Sequence, residues 1–107
     1  MSKKSISGKV KGSAGKQAVG HYVLQLFVTG LSPNSIRAIV NLRKICKEYL
    51  KDEYELEIID ITLKPQLAVK EQILVIPVLI KKFPLPEMRM IGDLSNKGKV
   101  LEGLGLL

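Results

Sequence analysis

The sequence predicts an α/β domain with the element order β-α-β-α-β-β-α, and three observations predict it. The heptapeptide Tyr22-Val23-Leu24-Gln25-Leu26-Phe27-Val28 is apolar except at Gln25, the pattern of a central strand buried on both faces. A helical signal follows and then a strictly alternating segment, Tyr54-Glu55-Leu56-Glu57-Ile58, so the first three elements make a parallel βαβ unit. Two further short apolar runs, Val78-Leu79-Ile80 and Met88-Arg89-Met90-Ile91, are close enough in sequence to pair as a hairpin. At 107 residues the chain has room for one core and not for two.

Each element has its own signals. Ser32 offers an N-cap oxygen, and Pro33 is a first-turn residue whose missing N–H costs nothing there, so the first helix starts here and runs to about Lys51. On its wheel Arg37, Asn41, Lys44, Glu48 and Lys51 form a narrow solvated stripe. Ile36, Ile39, Val40, Leu42, Ile45, Cys46, Tyr49 and Leu50 form the face expected against the sheet. The alternation of Tyr54 to Ile58 gives the second strand one wet face and an outer place in the sheet. Pro65 opens a shorter helix expected to reach Leu74, with Leu67, Ala68 and Ile73 buried. The closing segment, 93–107, is expected as a helix capped by Asp93 or Ser95. Gly98, Gly103 and Gly105 weaken it by roughly 0.5–1 kcal/mol each inside a helix. Leu104 and Leu106 also keep strand alternation with Val100 and Glu102, so the local signal does not choose.

Charge divides the chain. Of seventeen Lys and Arg, five are lysines within the first twenty residues (Lys3, Lys4, Lys9, Lys11 and Lys16), where there is no acid; twelve basic and ten acidic residues follow. The formal charge of +7 therefore belongs largely to residues 1–20, whose Gly- and Ser-rich composition predicts a disordered basic arm preceding a domain that starts near His21. Without an aromatic residue to stack on bases, that arm is a poor nucleic-acid binder. The longest apolar stretch, Ile73 to Ile80 with Pro77 inside it, is too short to span a bilayer. No apolar run follows the N-terminal lysines as a secretory signal requires, and Cys46 is the sole cysteine. A reducing, cytoplasmic location is the expectation.

Catalytic chemistry finds few residues to work with. Cys46 lies deep in the first helix on its apolar side, where a structural thiol is expected rather than a thiolate nucleophile. His21 is the only histidine, so neither a histidine triad nor a metal cluster is assembled from this chain. Glu55 and Glu57 read as a solvated strand face, and Gly30 lacks the lysine and spacing of a phosphate loop. No enzyme and no cofactor are expected.

The predicted order is the thioredoxin-like arrangement, and the loop Thr29-Gly30-Leu31-Ser32-Pro33-Asn34-Ser35 stands where that fold keeps redox cysteines, without one. From Tyr22 to Leu107 the chain resembles the KaiB family. The resemblance rests on Tyr22-Val23-Leu24, Thr29-Gly30 with Pro33-Asn34-Ser35, Arg37-Ala38, Ile59-Asp60, Pro65-Gln66-Leu67-Ala68, Ile73-Leu74, Pro77 with Leu79, Ile91-Gly92-Asp93-Leu94-Ser95, Lys99-Val100-Leu101 and Gly103-Leu104. It implies a non-catalytic regulator with two folds. One is thioredoxin-like; the other, β-α-β-β-α-α-β, is an oligomeric ground state, tetramer or dimer, reached by rearranging residues 65–107. It further implies docking of the thioredoxin-like state on the N-terminal ATPase ring of a KaiC-like protein, with capture of a KaiA-like protein. Carried over by the match, Arg37, Lys81 and Arg89 are the cationic candidates for that surface, joined by Gln66, Lys70 and Gln72 around the second helix. Pro77, Pro84, Pro86, Gly103 and Gly105 are the candidates for the fold switch, with Pro77 expected cis in the thioredoxin-like state. The chain departs from the family pattern at Ile76, where threonine is usual, at Leu85 within a three-proline run, and at Gly105, where aspartate is usual. The alternative is a permanently thioredoxin-like interaction domain in stress or two-component signalling. A residual disulfide oxidoreductase is the third reading, and it predicts activity that Cys46→Ser abolishes; that substitution is expected to be silent.

Overall fold

The computed structural model describes residues 21–107; the expected basic arm, 1–20, lies outside the described residues. β1 (Tyr22–Val28), α1 (Pro33–Ile45), β2 (Tyr54–Asp60), α2 (Pro65–Lys70), β3 (Val78–Phe83), β4 (Met88–Ile91) and α3 (Lys97–Gly103) follow in the expected order. α1 is prolonged by a π-helical turn, Cys46–Leu50, which ends at Lys51 with φ 54°. The four strands form one sheet in the order β2-β1-β3-β4. β1 is parallel to β2 with Tyr22 opposite Tyr54, antiparallel to β3, and β3 is antiparallel to β4.

The sheet is covered on both faces, which explains why β1 reads as apolar at nearly every position. One face carries α1 and α3: Leu24, Leu26 and Val28 of β1, Leu56 of β2 and Leu79 of β3 pack with Ala38, Leu42, Ile45, Cys46 and Leu50 and with Val100, Leu101 and Leu104. The opposite face is smaller, with Phe27, Ile59, Val78 and Ile80 under Leu67 and Ile73 of the α2 segment. Gln25 faces this side, opposite Ile80 of β3, and its amide donates to Glu57 at 3.3 Å.

Three expectations are corrected by tertiary packing. α1 offered eight apolar positions, too wide an arc for one contact. Ile36, Val40 and Tyr49 are exposed, and Ala38 and Ser35 are buried instead. Asn41, expected in the solvated stripe, is half-buried and donates to the backbone carbonyl of Asp93 at 2.9 Å. α2 stops at Lys70 and not at Leu74, because Gln72 adopts a left-handed φ of 57°; Ile73 N–H then closes back on Ala68 O at 2.9 Å. Its Leu67, Ala68 and Ile73 are half-buried rather than buried.

The C-terminal segment resolves as a helix, capped not by Asp93 or Ser95 but by Asn96, whose Oδ1 accepts Lys99 N–H at 3.1 Å. Gly105, at φ 80°, supplies the left-handed stop: its N–H meets Glu102 O at 3.0 Å and Leu106 N–H meets Leu101 O at 2.8 Å. Gly103 serves close approach, since a Cβ there would come within 2.5 Å of Met90 Sδ on β4. The peptide bonds preceding Pro77, Pro84 and Pro86 are all cis.

Candidate functional site

The loop between β1 and α1 is built from hydroxyls. Gly30 takes φ 47° to turn the strand into the helix. The fully buried Ser35 Oγ accepts Thr29 N–H at 3.0 Å, and Ser32 Oγ accepts Ser35 N–H at 3.3 Å as the cap of α1. Asp60, at the end of β2, closes the turn from the other side. It accepts Thr62 Oγ1 at 2.6 Å and Thr62 N–H at 2.9 Å, and with a further bond from Gly30 N–H these hold its carboxyl below the usual carboxylate range. No thiol or free nucleophile enters this loop. Cys46 is fully buried at the junction of α1 and its π-helical turn, and burial pushes its thiol up to about 12.

A second ordered loop joins β4 to α3. Gly92 has φ 113° and Leu94 has φ 62°, with the Leu94 side chain buried in the main core. Asp93 between them accepts Ser95 N–H at 3.0 Å and Arg37 Nε at 3.2 Å, while Arg37 Nη2 also donates to Asn34. The Ser95 bonds come first in holding Asp93 below its ordinary pKa, with Arg37 adding to them. A group so depressed contributes stability above its ordinary pKa and loses it as pH falls through the lower folded value. Asp93→Asn is therefore expected to flatten the fall of stability below about pH 4. Acid titrations of thermal unfolding check this, and parallel curves for the two proteins would refute it.

The six candidate contact residues fall into separate places. Lys81 is only 4% exposed, opposite Leu24 of β1 and Met88 of β4 on the interior strand β3, so its expected role as an accessible cation is corrected in this fold. Arg37 is on α1, tied to Asp93 on the far layer. The other four gather around α2. Gln66 and Lys70 are exposed one turn apart on the helix, and Gln72 is exposed at its left-handed stop. Arg89 of β4 reaches across to this end, Nη2 donating to Glu71 O at 2.6 Å, which satisfies a terminal helix carbonyl. The Glu71 carboxylate accepts Lys82 Nζ at 3.0 and 3.1 Å and lies 3.7 Å from Arg89, while Lys82 also lies 3.8 Å from Glu87. Arg89 is thus a strut that fixes the end of α2 on the hairpin.

Sequence reasoning missed the apolar part of this surface. Val69 is 78% exposed and Leu74 93% exposed, beside Lys70 and Gln72. Of the apolar residues of this segment, only Leu67, Ala68 and Ile73 are singled out by sequence, as its buried side. A short helix with exposed Gln66, Val69 and Lys70, followed by Gln72 and Leu74, has apolar anchors and polar neighbours but no nucleophile, proton shuttle or metal ligand set. Among the described residues no group of three or more His, Cys, Asp or Glu is placed to hold a metal ion. Exposed apolar side chains ringed by polar ones are the composition that contacts between macromolecules use.

The fold and this site define a thioredoxin-like α/β protein whose β1–α1 loop carries no cysteine. The solved N-terminal domain of SasA from Synechococcus elongatus superposes with a TM-score of 0.66 at 24% identity, over 91% of this chain and 96% of that one. Mitochondrial thioredoxin 3 of Saccharomyces cerevisiae gives 0.65 at 15% identity, over 80% and 78%. The KaiB domain pattern matches residues 25–106. The circadian clock protein KaiB3 of Synechocystis sp. is 51% identical over 85 residues, 79% of this chain and 83% of that protein. The circadian clock oscillator protein KaiB of Thermostichus vulcanus is 50% identical over 86 residues, 80% of each. This chain belongs to the KaiB family, whose named relatives are circadian clock proteins rather than enzymes. No helix among the described residues is long and apolar enough to cross a membrane.

Proposed function

We propose that this protein is a non-catalytic clock-type regulator that docks on the N-terminal ATPase ring of a KaiC-like protein and modulates its phosphorylation or ATPase cycle, with a KaiA-like protein as a further partner. The observation that carries the reading is the exposed α2 surface on a KaiB-family chain. Val69 and Leu74 supply apolar contact, Gln66, Lys70 and Gln72 supply polar specificity, and Arg89 with Glu71 holds the helix end in place. On this reading residues 65–107 are the segment that would rearrange into the β-α-β-β-α-α-β ground state and its homo-oligomer. Cytoplasmic action follows from a cytoplasmic partner.

Binding is tested by incubating the protein for hours with its cognate KaiC homologue and measuring co-elution. Lys70→Glu is expected to weaken the association about tenfold or more, equal to about 1.4 kcal/mol, whereas Lys44→Glu on the outer side of α1 leaves it unchanged. Absence of co-elution by the unsubstituted protein would sink the reading.

The likeness to the SasA N-terminal domain favours a second reading, a permanently thioredoxin-like interaction domain that acts in stress or two-component signalling. Backbone NMR separates the two: a single thioredoxin-like spectrum at all concentrations favours the permanent domain, and two peak sets in slow exchange favour the switching regulator.

A further inference from the structure

Met88 and Met90 stand two residues apart on β4, so their side chains leave the same side of the strand, the side that carries α3. Both line a groove of about 540 Å³ between β4 and α3, together with the exposed Lys99 and Glu102. The two thioethers differ in what surrounds them. Met88 is 38% exposed at the start of the strand. Met90 is half-buried against the main core, and its thioether lies across Gly103: a Cβ there would stand 2.5 Å from Sδ, 3.0 Å from Cε and 3.3 Å from Cγ. α3 comes this close to β4 because residue 103 has no side chain and because the atoms laid against it are apolar. That contact matters to α3, whose seven residues and interior Gly98 give it little stability of its own.

We propose that Met90 is an oxidation site through which a peroxide controls the docking of α3 on the sheet. The sulfur lone pair attacks one oxygen of hydrogen peroxide: an S–O bond forms, the O–O bond breaks, and the departing hydroxide takes up a proton and leaves as water. Sulfur is oxidised by two electrons and the peroxide is reduced by two. The groove is what admits the oxidant to a sulfur that packing otherwise covers. The product, methionine sulfoxide, is polar where the thioether was apolar, and its oxygen requires a hydrogen-bond donor. Backbone N–H groups of the helix are already committed within it, as those of Val100 and Leu104 are to Asn96 O and Val100 O. Donors lie on the groove side, in solvent and at Lys99. The oxidised sulfur therefore turns outward, and its contact with Gly103 is lost. Met88 is oxidised as well, but its sulfoxide is solvated at the exposed start of the strand, and α3 keeps its seat. Sulfoxide reduction by a methionine sulfoxide reductase makes the change reversible.

The test treats full-length Met88→Leu and Met90→Leu proteins with hydrogen peroxide and locates the added oxygen by peptide mass. Met1 and Cys46 are common to both proteins and cancel, and leucine replaces methionine with little change of apolar volume. Midpoints are compared within each protein before and after oxidation, so the effect of the substitution itself drops out. In Met88→Leu, oxygen is expected at residue 90, with the thermal midpoint lowered by about 4–8 °C and the amides of α3 exchanging about tenfold faster relative to those of β1. In Met90→Leu, oxidation at residue 88 is expected to leave the midpoint within about 1 °C. The proposal fails if residue 90 stays unoxidised while residue 88 of the other protein is fully converted, or if its conversion leaves the midpoint and α3 exchange unchanged. It fails equally if oxidised Met90→Leu loses as much as oxidised Met88→Leu. These readings are of stability and exchange, so they stand whether or not the protein docks on a KaiC homologue.

Discussion

Leu104→Ala is expected to lower the free energy of unfolding by about 2–5 kcal/mol and to strip hydrogen-exchange protection from α3 before the rest of the sheet. The size of the effect comes from how α3 is held. A seven-residue helix is far below the length that is stable alone in water, and Gly98 within it costs roughly 0.5–1 kcal/mol more. Its stability is therefore borrowed from packing by Val100, Leu101 and Leu104, of which Leu104 is fully buried. Leu104 is also where the helix is tied to the first strand: Tyr22 Oη donates to its carbonyl at 2.7 Å across 82 positions of sequence. Tyr22→Phe removes that buried bond alone, leaves the carbonyl without the phenol, and should cost about 1–3 kcal/mol. Urea unfolding of both variants with exchange mapping makes the comparison. A loss under 1 kcal/mol for Leu104→Ala with α3 protection intact would show that the helix stands on other contacts.

The parts of the fold that sequence made legible are those governed by neighbours along the chain. The apolar run Tyr22 to Val28, the Ser32-Pro33 start and the alternation Tyr54 to Ile58 each carry a local physical cause, and each became the expected element in the expected layer. What stayed hidden was set by contacts distant in sequence. Nothing local marks Gln72 for a left-handed φ; Arg89, seventeen positions on, receives the helix end there. Asn41 is a polar wheel position until the Asp93 carbonyl arrives from the β4–α3 loop. Lys81 looks accessible in sequence because the strand that covers its flank, β4, lies beyond it. The same cause divided the candidate site. Gln66, Lys70 and Gln72 share one short segment and stayed together, whereas Arg37 and Lys81, grouped with Arg89 through the family resemblance, are set on other parts of the fold. Val69 and Leu74 were not among the residues expected to be buried, and what leaves them so exposed is that the helix ends at Lys70.

Alkaline pH is expected to destabilise the protein steeply, with the loss beginning near pH 9, and Cys46→Ala is expected to remove the first part of it. Cys46 is fully buried where α1 passes into its π-helical turn, and desolvation raises its thiol to about 12 against the partly opposing charge of Arg43. In the unfolded chain the thiol ionises near its ordinary value of 9.0. Between those values the unfolded state has lost a proton that the folded state keeps. Stability then falls as pH rises, by up to about 1.4 kcal/mol per unit, on the order of 4 kcal/mol across the whole window. Below pH 9 both states hold the proton and the contribution is complete. Tyr22 and Tyr54 are raised as well, each first by burial, and act in the same direction, but only from their ordinary value of 10.0 upward. The interval from pH 9 to 10 therefore isolates the thiol. Alanine leaves a small apolar residue in place of the thiol, so Cys46→Ala loses a little packing at pH 7 while its stability stays level over that interval. Denaturant unfolding at half-unit steps decides the matter. Parallel declines for the two proteins from pH 9 to 10 would mean that the thiol ionises as readily in the fold as out of it, and the burial of Cys46 would then have no part in the alkaline limit.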